Sequence, residues 1–194
     1  MIVVKIGGSL YQNDVLPRWL TMLADLSTDI VIVAGGGPFA DQVRAANQRW
    51  PLSEAAAHNM ALLAMQQFSY LMHDLEPRLS ITDDPRLGTG ARLWVPSQLL
   101  VRGGLASEAL ERSWQTTSDT IAAWLATDID ANRLCLIKSK KIEENNVTHW
   151  YKTDLVDENF SKQAAKLNAP IDLYHASDVD AFAHDCRCKW HPND

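Results

Sequence analysis

The strongest constraint on the fold is a motif that occurs twice near the start of the chain. VVKIGGSL (residues 3–10) and IVIVAGGGPFAD (residues 30–41) each run a short, β-branched strand straight into glycines. Strands of that composition are buried on both faces, as in a parallel sheet. Residues 15–27 then space Leu16, Leu20, Leu23 and Leu26 at helical intervals, and FADQVRAANQRW supplies a second helix. This is β-loop-α twice over. It predicts an α/β fold, a three-layer αβα sandwich with a mostly parallel central sheet and binding loops at the carboxyl ends of its strands.

Further along, SEAAAHNMALLAMQQFSYLMHDL predicts a long helix capped by Ser53, with Ala57, Ala61, Ala64, Phe68, Leu71 and Leu75 on its buried face. The Pro- and Gly-punctuated middle section predicts two short strands and a mobile loop. WQTTSDTIAAWLATDID reads as a helix capped at Thr117 or Ser118, RLCLIK as a buried strand and IDLYHA as the last strand. With 194 residues, 46% of them hydrophobic, the chain suits one compact domain.

A formal charge of −6 offers no broad basic field, so nucleic acid is not expected as a partner and any anion must be captured locally. No apolar run approaches a membrane span and no signal peptide precedes the first strand, which leads us to expect a cytoplasmic protein with no membrane partner. The three cysteines do not organise the fold. Near the end, His184, Cys186, Cys188 and His191 lie close in sequence, but C-x-C lacks the usual zinc spacing. A polar, partly disordered tail is expected there, and no metal site.

The chemistry begins with Lys5, a lysine in an apolar strand. Gly7, Gly8 and Ser9 after it, and Gly35 to Gly37 after the next strand, expose backbone to phosphate oxygens without side chains in the way. The second loop opens a helix whose N-terminus favours anions, with Pro38 in its first turn. Two anion cradles then lie side by side, and Lys5 reaches the same space as a point charge. Farther on, Ser118 and Asp119 start a helix and Lys138 closes a strand. Separately these are a helix cap and a solvated strand end. Together, two lysines and one carboxylate form a set in which Asp119 positions the ammonium groups around a γ-phosphate.

Other glycine-loop chemistries fit less well. A Walker A loop places its lysine after the glycines, whereas Lys5 precedes them. GGGPFA followed by Glu54 matches a dinucleotide fingerprint, but it gives Lys5 and the first glycine pair no role.

Taken in order, VVKIGGSL, IVIVAGGGPFAD, TSDTIAAWLA and LCLIKS resemble the amino acid kinase superfamily over roughly residues 1–140. Within it, AAAHNMALLAMQQF and SWQTTSDTIAAWLA are most similar to the aminomethyl-furanmethanol phosphate kinase group of methanofuran biosynthesis. The resemblance implies direct, in-line transfer of the γ-phosphoryl of Mg-ATP to an acidic acceptor, a small molecule bearing a phosphate. Magnesium would ride on the nucleotide phosphates. It assigns Lys5 to the transferring group, Gly7, Gly8, Ser9 and Ser118 to the ATP phosphates, and Gly36 and Gly37 to the acceptor. Asp119 would organise the lysines and Lys138 would stabilise charge on the nucleotide side. It also implies a homodimer or higher homo-oligomer, for which the 53–75 helix offers a surface. A uridylate-like nucleotide kinase and a non-catalytic nucleotide-binding protein are the alternatives.

His58 is read as the ligand of the acceptor phosphate because it falls in the first turn of its helix, although a packing role fits the residue equally. Trp114 is a candidate border of the acceptor pocket, and Arg18 and Arg102 are further cations suited to phosphate. The chain departs from its relatives after Lys138, where KSKKIEENNVTHWYKTDLVDENFSKQ lacks their Gly-Met-x-x-Lys element. Lys140 or Lys141 could stand in for it, but surface charge is the simpler reading. The expected organisation is an acceptor half over 1–110, a reduced nucleotide half over 111–185 and a tail over 186–194.

Overall fold

The structure, a computed structural model, describes residues 1–97, 99, 116–140, 150, 153, 155–188 and 190. Trp114, Arg102, Lys141 and His191 lie outside the described residues, as does much of the expected mobile loop. Six parallel strands form one sheet: β1 (Ile2–Ile6), β2 (Ile30–Ala34), β3 (Ser80–Thr82), β4 (Ala91–Trp94), β5 (Arg133–Lys138) and β6 (Ile171–His175). Their order is β3-β4-β2-β1-β5-β6. The chain first fills one side of β1, with β4 inserted between β2 and the edge strand β3, and then the other. The loops after β1, β2 and β5 therefore converge where the order switches, which is where open α/β sheets bind ligands.

Alternation along each strand sorts the side chains into two cores. Ile2, Val4, Ile6, Ile30 and Ile32 meet α1 (Leu16–Asp25) and α6 (Val179–Cys188). Val3, Val31, Val33, Leu134 and Leu136 meet α4 (Ser118–Asp128) and α5 (Phe160–Ala164). The expected leucine stripe of α1 is buried as read. On the sheet face packed against α4, Lys5 follows Val3, and Lys138 follows Leu134 and Leu136. Helix α2 (Gly37–Arg49) packs on α3 (Glu54–Leu75), which gives Leu62 and Met65 to one core and Phe68 and Met72 to the other. Leu75 departs from expectation: on the last helical residue nothing covers it, it is 49% exposed, and Met72 carries the buried face instead.

The expected polar tail is only partly one. Helix α6 continues to Cys188 and buries Phe182 and Cys186. Trp190 packs edge-on against Phe182 with centroids 5.6 Å apart, and the Arg133 guanidinium lies 4.4 Å from its ring centroid. Cys186 is in the core while Cys188 is exposed. Among the described residues no group of His, Cys, Asp and Glu could hold a metal, and no helix is long and apolar enough to cross a membrane.

Candidate active site

Three chain ends meet above the sheet. The Gly7 amide donates to the Ile137 carbonyl at 3.0 Å and the Gly35 amide to the Ile6 carbonyl at 2.8 Å, so both extend the β-ladder. Gly7 therefore has no amide to give to a phosphate, which narrows the first cradle to Gly8 and Ser9. The two glycine loops also touch backbone to backbone. A methyl group on Gly8 would stand 2.5 Å from the Gly37 nitrogen, inside any contact a real side chain makes. Gly37 itself has φ +53°, in the left-handed region, and opens α2 with Pro38 behind it.

Beneath the loops lies the charge cluster. The Asp119 carboxylate forms an ion pair with the Lys5 ammonium at 2.7 Å on one oxygen and accepts a hydrogen bond from the Lys138 ammonium at 2.5 Å on the other. All three are largely buried. Burial alone would raise the Asp119 pKa, but Lys138 and then Lys5 outweigh it and hold the carboxyl down at about 2. Burial also dominates at Lys138, pushing the ammonium down to about 8 despite Asp119, with Lys5 adding to the depression. Two cations on one anion leave a net positive charge under the glycine loops. In a chain of formal charge −6, that charge is a local attractor for anions.

Two cavities open beside the cluster. One of about 360 Å³ is lined by Gly8, Ser9, Gly36, Gly37, Arg44 and Ser118 among others. A smaller one of about 100 Å³ has Gly36, Arg44, His58 and Thr116 to Ser118 in its wall, with Leu62, Met65 and Ile121 behind them. The cavities share Gly36, Ala40, Arg44, Thr117 and Ser118. Lys5, Asp119 and Lys138 are not among the residues lining either cavity. They are joined to the wall through Ser118, the chain neighbour of Asp119. Toward β5 the Ser9 and Ser139 hydroxyls pair at 2.6 Å.

His58 reaches the site by a different route from the one its sequence position suggests. Helix α3 starts at Glu54, with Ser53 capping the Ala56 amide, so His58 is one turn in and beyond the strongest N-terminal field. It is buried, and the helix start beside it belongs to α4. Arg18 is not brought to the site: it pairs with Asp180 at 2.6 Å on the α1–α6 surface and lines neither cavity. Lys140 donates to the Thr153 carbonyl. Glu54 opens a helix rather than ending a strand, which removes the ribose carboxylate from the dinucleotide alternative.

Sequence reasoning missed Arg44, which pairs with Asp41 at 2.5 Å on the exposed side of α2. The signal was present, since Arg44 is seven residues past Gly37 and so falls near the same helix face. Asp157 was also missed. It lies in an unpatterned stretch, and only the fold brings it to the start of α4.

Residues 1–141 match the model of the amino acid kinase family. Among curated proteins, the chain is 27% identical over 143 residues to [5-(aminomethyl)furan-3-yl]methyl phosphate kinase of Methanocaldococcus jannaschii. That match covers 70% of this chain but only 64% of the relative. Among solved structures, uridylate kinase from Archaeoglobus fulgidus superposes with a TM-score of 0.68 at 13% identity, covering 96% of this chain and 95% of that one. UMP kinase from Ureaplasma parvum gives 0.64 at 11%, with 97% and 95% covered. At these identities the structural likeness shows the shared fold.

Proposed function

Because this chain belongs to the amino acid kinase family, we propose that it is an ATP-dependent small-molecule kinase. It transfers the γ-phosphoryl of Mg-ATP in line to a phosphate monoester, such as an aminomethyl-furanmethanol phosphate, and releases a diphosphate. The observation that carries this reading is the buried Lys5–Asp119–Lys138 cluster under two touching glycine loops. Phosphoryl transfer asks chiefly for positioning and charge neutralisation, and a phosphate acceptor needs no strong base.

In this reading Lys5 neutralises the transferring group and Lys138 the charge gathering on the departing ADP, while Asp119 holds both ammoniums in place. Gly8, Ser9 and Ser118 hold the nucleotide phosphates. Gly36, Gly37 and His58 hold the acceptor, with Arg44 added as the cation common to both cavities. Magnesium would come as a passenger of the nucleotide, where it screens phosphate charge. The acceptor half is residues 1–110 and the reduced nucleotide half 111–185.

We read the protein as a cytoplasmic homo-oligomer joined through α3, where Leu63 and Tyr70, one heptad apart, are 46% and 52% exposed. Sedimentation giving only a monomer at micromolar concentration would remove the oligomer. The reaction itself is tested by ADP release from Mg-ATP with aminomethyl-furanmethanol phosphate, UMP, other phosphate monoesters and amino-acid carboxylates. Lys5→Ala is the control and should lose turnover by about 100-fold or more, as removal of a transition-state contact does. Turnover with UMP alone would make it a nucleotide kinase. Bound ATP with no turnover on any acceptor would make it a non-catalytic binding protein.

A further inference from the structure

The start of α4 is held by a carboxylate that belongs to no motif. Asp157, from the segment before α5, accepts from four donors. The Thr117 hydroxyl reaches one oxygen at 2.6 Å and the Thr120 amide the same oxygen at 3.0 Å. The Thr120 hydroxyl and the Asn159 amide, the latter at 3.1 Å, take the other. The next contact decides what this does. Thr117 is the N-cap of α4, and its hydroxyl accepts the Asp119 amide at 3.4 Å. A hydroxyl has one proton, and Asp157 engages it, so the lone pairs of Thr117 are left to face the Asp119 N–H. Asn159 extends the clamp by donating to the Thr116 hydroxyl at 3.3 Å.

We propose that Asp157 is a positioning residue that sets Asp119 between Lys5 and Lys138 by clamping the first turn of α4. The inference rests on the kinase reading for its consequence but not for its geometry. A carboxylate is favoured at a helix N-terminus, and this one comes from a segment far from both glycine loops in sequence. The two ion pairs it serves are 2.7 and 2.5 Å long. A displacement of about 1 Å in the helix start would disrupt both, and misplacements of that size cost about 100-fold in rate.

The test reads Lys138 directly. Its ammonium faces Asp119 from α4 and Lys5 from β1, and His175 is its register neighbour on β6. Asp119 is the group that keeps it charged against burial. The ε-ammonium of Lys138 is titrated by NMR on the full chain carrying isotope-labelled lysine, in wild type, Asp157→Asn and Thr117→Val. Urea unfolding is run alongside to show that each variant is folded. The expected result is a Lys138 midpoint lowered by about half a pH unit or more in both variants, with turnover reduced and the KM for ATP little changed. Thr117→Val alters no charge and is nearly isosteric, so it stands in if Asp157→Asn does not fold. An unmoved Lys138 midpoint in a folded variant overturns the proposal. So does a shift in Asp157→Asn with none in Thr117→Val, which would mean that Asp157 acts through its charge alone. Failure of the kinase reading looks different: wild type turns over no acceptor while the Lys138 shift stands.

Discussion

Lys5 and Lys138, on adjacent parallel strands, hold opposite oxygens of one carboxylate, at 2.7 and 2.5 Å from Asp119. The arrangement is asymmetric in what its loss would leave behind. Without Lys5, Asp119 still has Lys138. Without Asp119, two buried ammoniums face each other with nothing between them.

Asp119→Ala should therefore destabilise the fold by about 3–5 kcal/mol, the cost of leaving buried charge uncompensated, and by more than Lys5→Ala does. Urea denaturation of both variants checks the order. An Asp119→Ala protein as stable as wild type would mean that the lysines are not charged and buried together.

Stability and turnover should part company in alkali. Lys138 titrates at about 8 in the folded chain against 10.5 in the unfolded one. Between those values the unfolded chain binds a proton the native one has lost, so this group adds up to ~3 kcal/mol of stability as pH rises. Over the same interval the ammonium disappears, and turnover should fall. Asp119 gives the acid limb: its folded pKa of about 2 lies below the 3.8 of an ordinary aspartate. Its contribution of about 2 kcal/mol is present above pH 4 and lost as pH falls toward 2. Denaturation midpoints and initial rates measured from pH 6 to 9, below the range in which the buried Cys135 and Cys186 thiols oppose the gain, check the alkaline claim. Profiles that decline together would contradict it.

In the acceptor cavity, His58→Ala and Arg44→Ala should each raise the KM for the acceptor by about 10-fold or more. The KM for ATP should change little. Arg44→Lys keeps the charge but not the planar fork, and should recover only part of the loss. If either alanine variant moved only the KM for ATP, that residue would leave the acceptor site.

Gly35→Ala tests the contact between the loops without touching a charge. A methyl there overlaps the Gly8 nitrogen and sits 2.8 Å from the Gly8 Cα, and backbone on both sides cannot yield. The variant should lose about 3 kcal/mol or more of stability, or fail to accumulate as folded protein. Gly90→Ala, with nothing within 4 Å of the added methyl, serves as a control that feels only the strain of a positive φ.

Much of this was legible before any coordinates, for identifiable reasons. Strand alternation groups Lys5 with Val3 and Lys138 with Leu134 and Leu136, but both strands are apolar on both faces, so only the fold shows that α4 covers the lysines' side. Capping chemistry placed the helix start at Thr117 or Ser118, and the structure puts the cap on Thr117. What escaped was whatever depended on distance in sequence. Asp157 lies 37 residues from Thr120 and 40 from Thr117, in a stretch with no periodicity to announce it. The sequence places His58 in the first turn of its own helix, whereas the structure sets it one turn in and beside the start of α4, because spacing shows where a helix begins but not which other helix begins beside it. Leu75 and the terminal segment failed for a related reason: apolar patterning does not say where cover ends, and Trp190 finds its cover on Phe182 and Arg133.

The central place of β1 also has a consequence in time. Its outer neighbour β5 is supplied only when the chain reaches Arg133–Lys138, and the two register Lys5 against Leu136. On a growing chain, Lys5 waits until α4 and β5 have been made without the carboxylate or the strand that would let it be buried. Such long-range pairing closes late and slowly. An interrupted chain that stops before β5 lacks Lys138 and leaves one edge of β1 unpaired, so partial products cannot assemble the charge cluster.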